Sequence, residues 1–141
     1  MLHPELDAWV AKLAWDARDA NVPVMLVVYQ TLLSRPPPPE GAEYSAWPWL
    51  SGANNAVIAT HALGLYDESA ALADLVTPHA HRNSHITHSA ACSYAAVGRY
   101  DDALEQVRLA VALGYPYLDR LRTDPDLGEV LGLPEFQALF N

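Results

Sequence analysis

SHITHSAACSYAAVGRYDDALEQVRLAVALGYP, residues 84–116, decides how the rest of the chain is read. It divides at Gly98 into two runs. In the second run Leu104, Val107 and Val111 recur at i, i+3 and i+7, which places them on one face of a helix rather than along a strand. Ala91 and Ala103 are small where two antiparallel helices must approach closely, and Gly98 supplies the backbone freedom of the turn. Tyr100 is expected to pack under that turn, and Asp101 and Asp102 suit the positive end of the second helix. The turn has an echo. Gly64-Leu65-Tyr66-Asp67-Glu68-Ser69 precedes Gly98-Arg99-Tyr100-Asp101-Asp102-Ala103 by 34 residues, and a fixed period in this range marks a helical repeat.

With Gly98 set as the fifteenth position of a 34-residue unit, Ala91, Tyr94, Tyr100, Ala103, Val107 and Ala110 occupy the small and aromatic positions of the pattern, which resembles the tetratricopeptide repeat. The preceding unit, residues 50–83, carries Val57, Thr60, Gly64, Tyr66, Ser69, Ala73 and Val76 in the same frame. It is a degenerate copy, because Thr60 replaces the aromatic and His81 stands where a proline often closes the unit. The tail, YPYLDRLRTDPDL at 115–127 and LPEFQALF at 133–140, resembles the end-of-group segment that closes many bacterial tetratricopeptide proteins. The resemblance covers residues 84–141 well and 50–83 loosely; residues 1–49 resemble nothing familiar. It implies an all-α, tetratricopeptide-like solenoid and a terminal place in a repeat array.

The tail also reads physically. Asp124-Pro125 is an N-cap followed by proline at the first helical position, and Gly132 ends that short helix before Pro134 starts another. Leu127, Val130, Leu131, Phe136, Leu139 and Phe140 are expected to cover the open face of the last repeat, because a stack of repeats needs a polar-faced lid.

Upstream, residues 4–19 form an amphipathic helix with Leu6, Trp9, Val10, Leu13 and Ala17 on its apolar face. Asn21-Val22-Pro23 breaks it. Residues 24–33, VMLVVYQTLL, are rich in β-branched side chains, but no second strand exists for them to pair with, so they are expected as a buried helix completing a hairpin over 1–34. Residues 35–49 read as a connector: four consecutive prolines favour polyproline II, with Tyr44, Trp47 and Trp49 returning to the core or offering a ligand for an aromatic groove. Helices are then expected over 53–63 and 67–77, a link over 78–83 in which Asn83 or Ser84 caps the next helix, the strong unit at 84–117 and the cap at 118–141. The whole is expected as one α-helical domain of 141 residues.

A formal charge of −9, from 17 acidic and 8 basic residues, disfavours nucleic-acid phosphates and anionic membranes as partners and favours a neutral or basic protein or peptide. A lone cysteine excludes an internal disulfide framework and fits a reducing cytosol. No basic-then-apolar leader and no apolar run of transmembrane length is visible, so the expected location is cytoplasmic.

The resemblance places partner binding on the first helix of each unit, at Asn54, Ile58 and His61 and at His85, His88 and Cys92, with Ser51, Ala62, Ala95 and Ala96 beside them. No lysine or arginine stands at those positions, so a clamp for an acidic peptide terminus is not expected. His79, His81, His85 and His88 fall within ten residues, and His85, His88 and Cys92 share one helical face, with His61 a further candidate; imidazole and thiolate are good ligands for zinc-class metals, although the spacing matches no established zinc signature. Cys92 among alanines reads as a packed thiol rather than a nucleophile, and Asp67-Glu68 and Asp101-Asp102 are explained by the helix dipole. No phosphate loop or nucleophile elbow occurs. The expectation is a non-catalytic interaction module without a cofactor; the alternatives are a metal-binding or metal-responsive protein using His61, His85, His88 and Cys92, and a neutralising partner of a basic toxic or regulatory protein.

Overall fold

The computed structural model describes residues 4–17, 21–34 and 43–141, and their regular structure is entirely helical. The chain divides into two compact units, Met1–Val76 and Thr77–Asn141, where the sequence anticipates one.

The first unit holds α1 (Pro4–Ala17), α2 (Val22–Ser34), α3 (Glu43–Ala62) and α4 (Tyr66–Val76). Asn21 starts α2: its side-chain oxygen accepts from the Val24 N–H at 3.2 Å, while Pro23 occupies the first turn, where its missing N–H costs nothing. The expected break at Asn21-Val22-Pro23 is therefore the cap of the second helix. The expected α1–α2 hairpin forms only in part, because α1 shares its most extensive contact with α3. Nor is α2 buried all round. Met25, Val28 and Leu32 face inward, whereas Val27 and Leu33 are exposed. Trp9, assigned to the apolar face of α1, is 55% exposed; Val10 and Ala14 do the packing.

The third helix begins at Glu43 and not at Ala53, and it continues through Pro48, which has no N–H to give the preceding turn. Trp49 and Leu50 follow at once and are both buried, so the apolar area they remove from water offsets the lost hydrogen bond, about 1.5–3 kcal/mol for a fully buried large side chain. Of the connector, residues 35–42 lie outside the described residues, including the four prolines.

In the second unit a 3-10 segment, Thr77–Arg82, leads into α5 (His85–Ala96) and α6 (Tyr100–Ala112). Then follow α7 (Leu118–Thr123), a second 3-10 segment at Pro125–Gly132, and α8 (Pro134–Ala138). α5 is central: it packs on α6 and on both 3-10 segments. Asn83 rather than Ser84 serves its start, accepting from the His85 N–H at 3.1 Å.

The 34-residue echo is physical. After α3, Leu65 N–H reaches Thr60 C=O at 2.9 Å and Gly64 N–H reaches His61 C=O at 3.0 Å; after α5, Arg99 N–H reaches Tyr94 C=O at 2.9 Å and Gly98 N–H reaches Ala95 C=O at 3.2 Å. Both are Schellman turns around a left-handed glycine, φ 77° at Gly64 and 78° at Gly98. Val57, Ser69, Ala73 and Val76 in one unit, and Ala91, Ala103, Val107 and Ala110 in the other, are all fully buried at matching offsets. Where Tyr94 fills its hairpin, Thr60 instead returns its hydroxyl to Ala56 C=O at 2.6 Å, and Ser69 donates across the hairpin to Val57 C=O at 2.8 Å. Tyr100 does not pack under the turn; its hydroxyl donates to the Glu129 carboxylate at 2.8 Å.

The tail folds as its punctuation implies. Asp124 caps the Pro125–Gly132 segment by accepting from the Asp126 N–H at 2.9 Å, and Gly128, at φ 52° and ψ −122°, breaks that segment midway. Leu127, Val130 and Phe136 are buried; Leu131, Leu139 and Phe140 are half-buried.

Candidate functional site

The polar centre of the second unit is built where α5 meets the start of the Pro125–Gly132 segment. His88 and Cys92 stand one turn apart on α5, so their side chains point the same way. They meet Asp124, which the chain brings back after α6 and α7. The Asp124 Oδ2 lies 2.6 Å from His88 Nε2 and accepts from the Cys92 thiol at 3.6 Å. The other carboxylate oxygen, Oδ1, is occupied by the Asp126 N–H, which fixes the plane of the group. On the far side of the imidazole, His88 Nδ1 is 3.1 Å from the Tyr115 hydroxyl. Tyr115 is held in turn by edge contacts with His85 and Tyr117, ring centroids 5.5 Å and 5.7 Å away.

The proton placement follows from the partners. A carboxylate accepts only, so Nε2 carries the proton toward Asp124; in a neutral ring Nδ1 then accepts from the Tyr115 hydroxyl. Burial alone would raise the Asp124 pKa, but the Asp126 N–H, the His88 hydrogen bond and its charge, and the Cys92 thiol outweigh it and hold the carboxyl below its ordinary value. Cys92 is driven the opposite way. Burial, then the charges of Asp124 and Asp126, push its thiol far above the ordinary range, so it is a protonated and poorly nucleophilic group. Tyr115 is also raised, by burial against an opposing pull from Arg120.

Of the residues expected at a binding face, three are not open. Asn54 and Cys92 are each 7% exposed, and His88 is engaged by Asp124 and Tyr115. Ile58 is 38% exposed, His61 stacks edge-on against Tyr66 at 5.3 Å, and His85 is exposed beside Tyr115 and Tyr117. The face of α5 that carries His88 and Cys92 is covered by the chain's own tail. Of the four metal candidates, the structure brings His88 and Cys92 together; His85 turns to the tyrosines, and His61 belongs to the first unit. Asp124 completes the cluster. The sequence marks it only as a helix cap, and nothing local to Asp124-Pro125 announces a partner more than thirty residues earlier.

A shallow open pocket borders Asp124, lined by Arg120, Thr123, Pro125 and Asp126. Among the described residues no helix is long and apolar enough to cross a membrane. No protein-family model, curated protein or solved structure matches this chain.

Proposed function

We propose that this chain is a non-catalytic interaction module of the tetratricopeptide kind, acting in the cytoplasm on a neutral or basic protein partner through the exposed residues of its helical hairpins. The observation that carries the reading is the pair of Schellman turns 34 residues apart, each followed by a helix whose buried positions repeat at the same offset. A hairpin of this kind cannot hide all its apolar surface, and Ile58, Tyr66 and Tyr117 remain exposed. The acidic balance of −9 favours basic partners through steering and disfavours phosphate backbones.

Ile58 and His85 are exposed and His61 is half-buried, so the test is a capture experiment from native extract with the tagged full chain beside an Ile58→Asp, His61→Ala, His85→Ala variant of unchanged circular dichroism. One partner retained by the wild type, lost by the variant and weakened by added salt is the expected result. Equal capture by both proteins, or none by either, removes the reading.

A further inference from the structure

We infer that His88, Cys92 and Asp124 form a binding site for one zinc-class divalent cation, with His88 Nε2, the Cys92 sulfur and Asp124 Oδ2 as ligands. The three ligand atoms lie within 4.8 Å of one another. In a tetrahedral zinc site, bonds of about 2.0–2.3 Å put neighbouring ligand atoms roughly 3.3–3.6 Å apart. The Cys92 sulfur and Asp124 Oδ2, at 3.6 Å, already have that separation. His88 Nε2 and Asp124 Oδ2, at 2.6 Å, are closed on a shared proton and must open by about 0.7 Å, a small rotation of the imidazole. The donor set itself is selective: nitrogen, thiolate and carboxylate together suit zinc or cobalt and are too soft for magnesium or calcium.

The surroundings fit a ligand set better than an isolated hydrogen-bond network. A metal-bound histidine donates its other N–H to an orienting partner, and Tyr115 already stands 3.1 Å from Nδ1 to receive it. The carboxylate plane is held by the Asp126 N–H. The pocket lined by Arg120, Thr123 and Asp126 opens beside Asp124, so that ligand borders open space.

The balance of protons is defined. In the metal-free site with a neutral imidazole, the thiol is protonated, Nε2 carries the imidazole proton and the Tyr115 hydroxyl donates to Nδ1. On binding, the imidazole proton moves through water from Nε2 to Nδ1, Tyr115 turns from donor to acceptor, and the Cys92 proton leaves to solvent. One proton is released per ion, and thiolate plus carboxylate neutralise the two positive charges. The site stands whether or not the hairpins bind a partner.

The test is titration of the chelator-treated full chain with Co²⁺ and then Zn²⁺, followed by absorption and by calorimetry in two buffers of different ionisation enthalpy. The expected result is one ion per chain, a thiolate-to-cobalt charge-transfer band in the near ultraviolet, its loss on zinc addition, and one proton released. Cys92→Ser abolishes the band and weakens zinc at least tenfold; Tyr115→Phe, which keeps the ring and the packing, keeps the band and weakens binding by about 10–100-fold. His85→Ala and His61→Ala leave both unchanged. A wild-type cobalt complex without the charge-transfer band, or zinc affinity unaltered in Cys92→Ser and lost with His79, His81 or His85, shows binding by surface histidines only and overturns the site. Absence of any saturable binding overturns it as well. The spectrum of the wild type decides the ligand even where a variant fails to fold.

Discussion

Asp124 performs two tasks with two oxygens, and replacing it by alanine or by asparagine separates them. Alanine removes both. The lost cap costs about 1 kcal/mol, and the lost charged hydrogen bond to His88 about 1.5–3 kcal/mol. Together that is about 2.5–4 kcal/mol. A fifth of the Asp124 side chain remains in water, at 21% exposure, which places the expected cost toward the lower end. Asparagine keeps an acceptor for the Asp126 N–H and turns its amide toward His88; the ring answers by accepting at Nε2 and donating Nδ1–H to Tyr115, so the cost falls to about 1 kcal/mol. Because the chain forms two compact units, a single unfolding midpoint is a poor measure, and native-state hydrogen exchange at the α5 amides from Ala90 to Tyr94 reads the second unit directly. Alanine is expected to lower protection there by roughly two decades and asparagine by less than one, each decade being about 1.4 kcal/mol. Equal losses for the two variants would refute the assignment of the cap to Oδ1, and a loss below half a decade for alanine would refute the network's contribution to stability.

Gly98→Ala and Gly64→Ala are each expected to cost their own unit about 1–2 kcal/mol, read from native-state hydrogen exchange at the α5 and α3 amides, from the left-handed backbone alone, since beyond the glycine and its chain neighbours nothing lies within 4 Å of where either Cβ would stand. A cost confined to one of them would break the equivalence of the two turns. Asp124, with its pKa lowered on folding, contributes stability that is present above the ordinary carboxylate range and lost as pH falls through the folded value; the difference in stability between wild type and Asp124→Asn should therefore shrink on acidification below the ordinary carboxylate range. Cys92 has the opposite sign: its thiol is raised, so its contribution is intact below about pH 8.5 and declines as pH rises beyond it, and the native protein without metal should react with a thiol reagent at neutral pH at a rate set by opening of α5. A native labelling rate equal to that of the urea-unfolded chain would contradict the burial. Gln106, buried on α6 with its side-chain carbonyl oxygen unpartnered among the described residues, should stabilise the second unit by up to about 1 kcal/mol when replaced by methionine, read from native-state hydrogen exchange at the α6 amides.

The helices and the repeat turns were legible because their signals are local. Glycine at the left-handed position, a carboxylate pair in the next turn and an alanine or serine at the contact are all specified within a few residues, and the structure realises both copies. Trp9 and the start of α3 were not legible, for different reasons. Periodicity places Trp9 on the same stripe as Val10 and Leu13 but cannot say where the stripe ends, and among the described side chains of α1 the buried ones are Val10 and Ala14. Pro48 argues locally for a break, and only the burial of Trp49 and Leu50 immediately after it favours continuing the helix. His88 and Cys92 could be paired from helical spacing alone. Asp124 and Tyr115 could not, because they reach α5 through the path of α6 and α7, which no local pattern encodes.

That path has a consequence for how the second unit can work. The His88 and Cys92 side of α5 is closed by the chain's own Asp124 and Tyr115. A capping segment that merely hid apolar area needs only side chains such as Leu127, Val130 and Phe136, all of which it has. The added acid, phenol and thiol place three polar groups in a half-buried setting, where each costs free energy unless its partners are well placed. Asp124 resolves this by serving the cap, the imidazole and the thiol at once, and so ties the seating of the tail to the polar side of α5. Whatever changes the charge of the Asp124 carboxylate acts on how firmly the tail is held to α5, while His85 and Tyr117 remain exposed beside it.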